Sequence, residues 1–362
     1  MRALFLSGKF GAGHDTLAEA CVSALEPHGV ESRIADCMPM LGSGGAALGN
    51  SVFKALMSVT PIYDGFHFSQ LRGNGAVGRF MDRAAVKVMY PHLVAEVDGY
   101  RPDLIVSVFA TGAAAAARLR LERRALRTVV FMTDSFAHGM WAHDGTDLFL
   151  VTSELAAASV RRFCPDALVR VVDAPVRSQF YDAPNQATAR AAHGVPADAT
   201  CVLLMSGAWG IGPLDSVAAA LAMDGHWVLA VGGSNDTLTS RLRAVARTHP
   251  TVIPFGYTDK VAELMAASDV IVTSSGDTCR EARVIGRPMV LLDVVPGHGR
   301  ENLMHELELG DASVCLATPA SVRGNVRRTL DASPPVSGRS AASARGWNDE
   351  FVKVLADAGV AL

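Results

Sequence analysis

The sequence has 362 residues, of which 49% are apolar and 19% are charged, and its formal net charge is −3. This length predicts two domains, each able to bury a sizeable core. The absence of a long basic run argues against nucleic-acid binding as the main function, and no run reaches the roughly 20 apolar residues of a membrane-spanning helix. Six scattered cysteines without a CxxC pair indicate reduced thiols rather than a zinc site. We expect a cytoplasmic protein, with peripheral membrane contact possible.

Short apolar runs alternate with helical patterns along the whole chain, which is typical of parallel βα units. Six strands are predicted in the first half, at 2–7, 31–36, 103–109, 127–132, 147–151 and 168–172. Six more are predicted in the second half, at 200–206, 226–231, 251–255, 269–273, 288–292 and 312–316. The apolar runs are continuous, as expected for sheets covered on both faces. The pattern therefore predicts an α/β protein with two doubly wound parallel sheets.

A proline-containing segment, 175–199, is predicted to link the two sheets and to carry a short helix at 185–193. We expect an N-terminal Rossmann-like domain over 1–175, a C-terminal one over 176–345, and a final helical segment at 346–362.

Two other segments stand apart from the alternating pattern. Segment 38–83 is rich in glycine, yet it has apolar residues at near-helical spacing. It is either a mobile lid over an acceptor or an ordinary core helix with flexible flanks. Segment 331–345 predicts a loop before a last helix at 346–359.

A glycine-rich turn follows the first predicted strand and contains Gly8, Gly11, Gly13 and His14. Glycines permit a sharp turn and let a substrate approach the N–H groups of the following helix. His14 is a candidate catalytic residue because a titratable imidazole stands at the carboxyl edge of a parallel sheet. The alternative is a tight turn with His14 in the first turn of a helix.

A second polar cluster follows the strand 127–132 and contains Asp134, His138 and Trp141. Asp134 is a candidate catalytic residue that accepts a proton or orients an imidazole, and His138 is a further catalytic candidate that contacts the acceptor or the donor phosphates. The alternative is that Asp134 caps a following helix.

In the second half, glycine turns follow three successive predicted strands, where backbone amides can bind phosphate groups and hold a base. The candidate donor-binding residues in these turns are Gly207, Gly210, Gly212, Gly233, Ser234, Phe255, Gly256 and Tyr257.

The most informative run follows the strand 269–273 and enters a helix. Its candidate phosphate-binding residues are Ser274, Ser275, Gly276, Asp277 and Thr278. Glu281 stands three residues after Thr278, beside the same loop, and is a candidate ligand of both ribose hydroxyls. The alternative is a Thr-x-x-Glu capping box. In the next loop, His298 and Asn302 are candidates to bind the hydroxyls of a sugar.

These motifs, in this order, resemble the family of monogalactosyldiacylglycerol synthases and the related MurG. The resemblance runs from the turn at Gly11 through Tyr63, Asp134, Gly210 and Glu281 to Asn302. It implies a GT-B fold, in which two Rossmann-like domains face a central cleft, and an inverting glycosyltransferase. It also implies that the N-terminal domain binds the acceptor, that the C-terminal domain binds a UDP-sugar, and that the last helix returns to the first domain.

By the same resemblance, His14 or Asp134 is the catalytic base and Glu281 binds the ribose. The acceptor-binding residues would be Gly11, Gly13, Tyr63 and Trp141. Three residues depart from the family pattern: Asp277 stands where a small or apolar residue is usual, His298 where a glutamine is common, and Gly299 where an acidic residue is frequent. The sugar and the acceptor, a lipid or a natural-product aglycone, therefore stay open.

The expected reaction is inverting transfer of a sugar from a UDP-sugar co-substrate to an acceptor hydroxyl. The sequence has no DxD motif, and we expect neither a metal nor a permanently bound cofactor. Two alternatives remain: a sugar-nucleotide epimerase of the same fold and a non-catalytic scaffold that binds nucleotide.

Overall fold

The structure is a computed structural model that describes residues 1–8, 13–42, 60–132, 134–207, 209–310, 312–332 and 341–360. Gly11, one of the predicted acceptor-binding residues, lies outside the described residues. So does 43–59, which holds many of the glycine and apolar residues of segment 38–83.

The chain forms two compact units. The first contains Met1–Pro175 together with Pro296–His298 and Arg345–Leu362, and the second contains Val176–Val295 and Gly299–Ala344. Residues 296–298 therefore belong to the first unit, although the chain on either side of them belongs to the second.

Six parallel strands form the sheet of the first unit. They are β1 (Arg2–Ser7), β2 (Glu31–Asp36), β3 (Leu104–Ser107), β4 (Arg127–Phe131), β5 (Leu148–Val151) and β6 (Val169–Val171). Their order in the sheet is β2-β1-β3-β4-β5-β6. Because β2 and β3 flank β1, the chain winds in opposite directions from β1. The carboxyl ends of β1 and β3 therefore form the topological switch point, where open α/β sheets bind ligands.

Helices cover both faces of this sheet. They are α1 (Gly13–Leu25), α2 (Cys37–Met40), α3 (Thr60–Phe66), α4 (Ala76–Tyr100), α5 (Ala110–Glu122) and α6 (Glu154–Phe163), with a 3-10 turn at Glu26–His28 and a π-helix at His67–Arg72. Leu17 of α1 packs in one core with Phe5, and Leu93 of α4 packs in the opposite core with Leu4. Neighbouring residues of β1 thus face opposite cores, as the continuous apolar run predicts.

The second unit repeats this architecture. Its strands are β7 (Cys201–Leu204), β8 (Trp227–Val231), β9 (Val252–Phe255), β10 (Val270–Ser274), β11 (Met289–Asp293) and β12 (Ala312–Leu316), in the order β12-β11-β10-β7-β8-β9. All described pairings are parallel, and the switch point lies between β7 and β10. All twelve predicted strands are confirmed, and so is the prediction of two doubly wound sheets.

The helices of the second unit are α7 (Ser178–Tyr181), α8 (Gln186–His193), α9 (Leu214–Met223), α10 (Asp236–Thr248), α11 (Val261–Ala267), α12 (Asp277–Ile285), α13 (His298–Leu309, whose first residue belongs to the first unit) and α14 (Pro319–Ala332). The predicted helix at 185–193 is confirmed as α8. None of the described helices combines the length and apolarity needed to cross a bilayer.

The final helix, α15 (Ala341–Asp357), begins earlier than predicted. The predicted loop over 331–345 is wrong at both ends, because α14 continues to Ala332 and the alanine-rich start of α15 favours a helix. Phe351 and Leu355 of α15 pack in the core of the first sheet, and the ring centroids of Phe351 and Phe131 are 6.3 Å apart.

Candidate functional site

His14 stands at the switch point of the first sheet, in the first turn of α1. Its Nδ1 lies 2.6 Å from the carbonyl oxygen of Val108, the residue just after β3. A carbonyl oxygen only accepts, so Nδ1 carries the proton and Nε2 carries the lone pair. The Nε2 atom makes no hydrogen bond to any residue that the structure describes. The imidazole is therefore fixed in the tautomer that a general base needs.

Phe109 completes the setting of His14. Its ring meets the imidazole edge to face, with centroids 5.5 Å apart. A Cβ atom on Gly8 would lie 2.5 Å from the Phe109 ring, so only glycine fits at the end of the first strand. Gly13, also predicted to contact the acceptor, is the first residue of α1.

Asp134 lies at the centre of a hydrogen-bonded cluster beyond β4. It accepts a hydrogen bond of 2.7 Å from the indole N–H of Trp141, and the Nε2 atom of His138 lies 3.4 Å away. The backbone N–H of Met140 donates to Nδ1 of His138 at 3.3 Å. Because an amide N–H can only donate, the neutral His138 carries its proton on Nε2, facing Asp134. Both ring nitrogens of His138 are thus engaged, which leaves His14 with the better geometry for a base.

Two sequence interpretations of this cluster change. No helix follows Asp134 among the described residues of its loop, so the alternative that Asp134 is a helix cap is wrong. Trp141 is only 1% exposed and uses its N–H on Asp134, so its ring is part of the core. The indole therefore holds the carboxylate in place.

Electrostatics keep Asp134 ionised. Burial alone would raise the pKa of Asp134, but the hydrogen bond and charge of His138, the charge of His298 and the hydrogen bond from Trp141 together lower it. A carboxylate with a lowered pKa contributes stability above its unfolded pKa, near 3.9, and loses it as the pH falls through the folded value.

Replacing Asp134 by asparagine is expected to lower the free energy of unfolding at pH 6 by at least about 1 kcal/mol, because charge-assisted hydrogen bonds are lost. That difference from the wild type should hold down to about pH 4.5 and then shrink toward pH 3, as the carboxyl group of the unfolded chain takes up a proton. Urea unfolding of both proteins across this range measures it, with Asp166→Asn, an exposed carboxylate, as the control. A difference that stays constant with pH would contradict the assignment of charge to Asp134.

The side chains of Tyr63 and His298 are hydrogen-bonded to each other within the first unit. The Tyr63 hydroxyl lies 3.3 Å from Nδ1 of His298, and the backbone N–H of Gly297 donates to Asp64 at 2.6 Å. Asp64 was not a sequence candidate, since only its place on α3 brings it to a loop more than 230 positions away. His298 was predicted to bind the donor sugar, and the structure places it beside the predicted acceptor residue Tyr63.

The second switch point, between β7 and β10, carries the predicted diphosphate site. Gly207 follows β7 with φ +58°, and a Cβ there would lie 4.0 Å from Oγ of Ser274 at the end of β10. The Oγ of Ser206 is buried and has no hydrogen-bond partner among the described residues. An unsatisfied hydroxyl at the ligand edge of a sheet is suited to bind an incoming polar group.

The glycine turns after β7 and β8 pack closely together. A Cβ on Gly210 would lie 2.2 Å from the carbonyl oxygen of Gly232, and Asn235 donates its side-chain N–H to the Gly210 carbonyl. Gly212, Gly233 and Ser234 lie in the same two turns, and Phe255, Gly256 and the exposed Tyr257 end β9.

Thr239 of α10 was not identified from the sequence. Its buried Oγ1 has no hydrogen-bond partner among the described residues, and it faces Gly232 and Gly256, which end neighbouring strands. The sequence could not identify the Thr239 hydroxyl as a site residue, because its place depends on the first turn of α10 lying next to both glycines.

The loop after β10 presents the start of α12. Gly276 is its N-cap and supplies no side-chain bond, so the first N–H groups of the helix remain available to an anion. The hydroxyl of Ser275 donates to the Gly299 carbonyl, which leaves Ser274 and Thr278 as the hydroxyl donors of the loop. Asp277 pairs with Arg280 at 2.9 Å, so its charge is compensated beside the first N–H groups of the helix.

Glu281 does not form the capping box that its spacing allows. Its Oε1 accepts a hydrogen bond of 2.7 Å from Arg177, and the side chain is buried. Burial raises the pKa of Glu281, while the charge and hydrogen bond of Arg177 oppose the shift. Its Oε2 remains available to a ribose hydroxyl. Asn302, the last candidate, is half-buried on α13.

Known proteins resemble this chain in sequence and in fold. Residues 14–171, which include His14 and the Asp134 cluster, match the model of the monogalactosyldiacylglycerol (MGDG) synthase family. Over this part of its length the chain is similar to the MGDG synthase family. It is 28% identical over 252 residues to a probable MGDG synthase of Glycine max, covering 65% of this chain and 46% of that protein.

A second relative of this MGDG synthase-like chain is the processive diacylglycerol beta-glucosyltransferase of Bacillus licheniformis. The two are 26% identical over 223 residues, covering 60% of this chain and 58% of the Bacillus protein. The chain thus spans about half the length of the curated relatives it matches.

The MurG structure from Acinetobacter baumannii superposes on the MGDG synthase-like chain with a TM-score of 0.61 at 13% identity, covering 98% of this chain and 99% of MurG. This likeness confirms the predicted GT-B fold.

Proposed function

We propose that this protein is an inverting glycosyltransferase that moves a sugar from a UDP-sugar to a hydroxyl of a lipid acceptor, with a natural-product acceptor as the alternative. The observation that carries the proposal is the His14 imidazole, held with its Nε2 lone pair available at the switch point of the first sheet. Support comes from relatives named as a glucosyltransferase and as a synthase of a galactolipid.

The reaction assigns separate tasks to the two units. In the first unit, Nε2 of His14 takes the proton of the acceptor hydroxyl, and its oxygen attacks the anomeric carbon of the donor sugar. The bond between that carbon and the diphosphate breaks, and UDP leaves with the bonding electron pair. Attack opposite the leaving group inverts the anomeric configuration.

In the second unit, the N–H groups at the start of α12 and the hydroxyls of Ser274 and Thr278 stabilise the charge that develops on the diphosphate. Glu281 accepts hydrogen bonds from the ribose. Asn302 and the glycine turns after β7, β8 and β9 are assigned to the donor, whereas His298, which lies beside Tyr63, is assigned to the acceptor group.

Asp134 has a supporting task in this proposal. Its lowered pKa makes it a poor proton acceptor, but its fixed negative charge favours hydrogen bonds from acceptor hydroxyls. Tyr63 and Gly13 stay in the acceptor group, whereas Trp141 acts through Asp134.

An exposed apolar stripe on α4 supports the proposal that the acceptor is presented by a membrane. Val77, Phe80, Met81 and Val88 recur at helical spacing and are 53%, 71%, 47% and 46% exposed. They lie on a different side of the helix from Met89 and Leu93, which enter the core.

A basic stripe runs beside this apolar one. Arg79, Arg83 and Lys87 are spaced four residues apart and are exposed. A helix with adjacent apolar and basic faces is suited to bind at the interface of an anionic bilayer. We infer a cytoplasmic enzyme that works at a membrane surface.

Replacing Phe80 by aspartate is expected to weaken binding to vesicles at least tenfold, because burial of an aromatic ring in the interface contributes about 1.5 to 3 kcal/mol. Co-sedimentation with vesicles of 30% anionic lipid measures the change. Met223→Asp alters a side chain that is 70% exposed in the second unit and serves as the matched control. Equal binding of both variants and the wild type would rule out α4 as the membrane face.

A donor and acceptor panel tests the reaction itself. The protein is incubated with UDP- and TDP-sugars, with and without a lipid extract or candidate aglycones, while free nucleotide and sugar isomers are followed. Nucleotide release that requires an acceptor supports transfer. Isomerisation without an acceptor would replace the proposal by an epimerase, and tight UDP binding without turnover would replace it by a scaffold.

A further inference from the structure

His67 is a buried histidine that sequence patterns did not single out. It begins the π-helix His67–Arg72, which directly continues α3. π-Helical turns are rare and occur frequently at functional sites. His67 is 1% exposed whereas the next residue, Phe68, is 43% exposed, so the π-helix turns the imidazole inward.

Two further histidines surround His67 in the first unit. Its ring centroid lies 6.3 Å from that of His138, with the planes at 84°, and 6.3 Å from that of His298. The Tyr63 ring lies 6.0 Å away. His67 therefore touches both the histidine that faces Asp134 and the histidine that is bonded to Tyr63.

The π-helix also fixes the loop that carries Asp134. Arg72, its last residue, donates to the Ala137 carbonyl at 2.7 Å, and its guanidinium lies 5.0 Å from the centre of the Phe136 ring. The N–H of Ala137 in turn donates to Ser159. Both ends of the π-helix thus contact the segment between Asp134 and Trp141.

We propose that His67 is a positioning residue of the acceptor site, which holds the rings of His138 and His298 and thereby the orientation of the Asp134 carboxylate. This rests on the proposed function. An apolar ring would fill the same volume at a lower desolvation cost. Packing alone therefore does not explain why a polar imidazole is buried here. An imidazole buried among polar partners restricts both the tautomer and the rotation of its neighbours.

His67→Phe tests this role, since it keeps a ring and removes the ring nitrogens. In protein labelled with 15N at histidine, the wild type should show His138 in the neutral state as the Nε2–H tautomer. In His67→Phe, the His138 signals should shift or split between tautomers. The kcat/KM for the acceptor should fall about 10- to 100-fold, as misplacement of an orienting group costs, with the KM for the donor unchanged.

Further variants separate packing from positioning. His67→Asn places a polar atom near Nδ1 and His67→Gln places one near Nε2, so one of them should restore activity above that of His67→Phe. His305→Phe, which replaces another buried histidine in the second unit, is the matched control and should leave the His138 signals unchanged. If His67→Phe misfolds, the His138 signals and the kcat/KM for the acceptor are measured in His67→Asn and His67→Gln instead.

If His67→Phe leaves both the His138 signals and the acceptor kinetics of an active wild type unchanged, the positioning role is wrong. If the wild type itself transfers no sugar, the proposed function fails, and the histidine spectra still decide whether His67 orients His138.

Discussion

The His14→Ala variant is expected to lose at least about 100-fold in kcat for sugar transfer, since this is the usual contribution of a general base. The KM for the donor should change little, because His14 belongs to the first unit and the predicted nucleotide ligands belong to the second. Steady-state kinetics with acceptor vesicles and a UDP-sugar measure both constants. His28→Ala, an exposed histidine just after α1, is the matched control.

Because the Nε2 atom of His14 carries the lone pair, added imidazole provides a more specific test of its role as the base. Removing the imidazole from a site that keeps its shape should allow added imidazole to restore part of the rate in His14→Ala, but not in Asp134→Ala. Wild-type turnover in His14→Ala would instead move the role of base to Asp134.

Glu281→Gln is expected to weaken UDP binding about 10- to 100-fold, because a carboxylate that accepts hydrogen bonds from hydroxyls contributes about 1.5 to 3 kcal/mol. The wild type should also prefer UDP over its 2′,3′-dideoxy analogue, and the variant should lose that preference. Titration calorimetry measures all four affinities.

The control for Glu281 is another buried acid in the second unit. Glu306 pairs with Arg283, just as Glu281 pairs with Arg177. Glu306→Gln therefore breaks a similar ion pair, and its UDP affinity should match that of the wild type. If the wild type and Glu281→Gln discriminate equally between UDP and its dideoxy analogue, Glu281 does not bind the ribose.

The sequence predicted the sheets well because their strands are buried on both faces. All four residues of β7, for example, are buried, so selection for apolar residues acts on each position. The strand pattern also predicted that His14, Asp134 and Ser274 lie at the carboxyl edges of the sheets, because all strands of a parallel sheet end at the same edge. The predicted start of α15 was wrong because the small residues at the beginning of this helix resemble those of a linker.

The roles within the site could not be predicted, because they depend on partners distant in sequence. The tautomer of His14 is set by a carbonyl 94 positions away, and the partner of Glu281 is an arginine 104 positions away. Spacing alone favoured a capping box equally well. The burial of His67 depends on a π-helix, which has no sequence signature of its own.

The exposed apolar stripe of α4 was not predicted from the sequence, for a different reason. Apolar residues at helical spacing normally mark the buried face, so Val77, Phe80 and Met81 look like core residues in the sequence. Only the structure shows that α4 has a second apolar face, formed by Met89 and Leu93, that enters the core.

The dependence of UDP release on the acceptor tests the account most directly. A UDP-sugar is incubated with the protein and vesicles that contain diacylglycerol, and free UDP is measured against vesicles that lack it. We predict that UDP appears only with the acceptor, in equal amount to a glycolipid of inverted anomeric configuration. Release of UDP at the same rate without any acceptor, or a product of retained configuration, would contradict inverting transfer by His14.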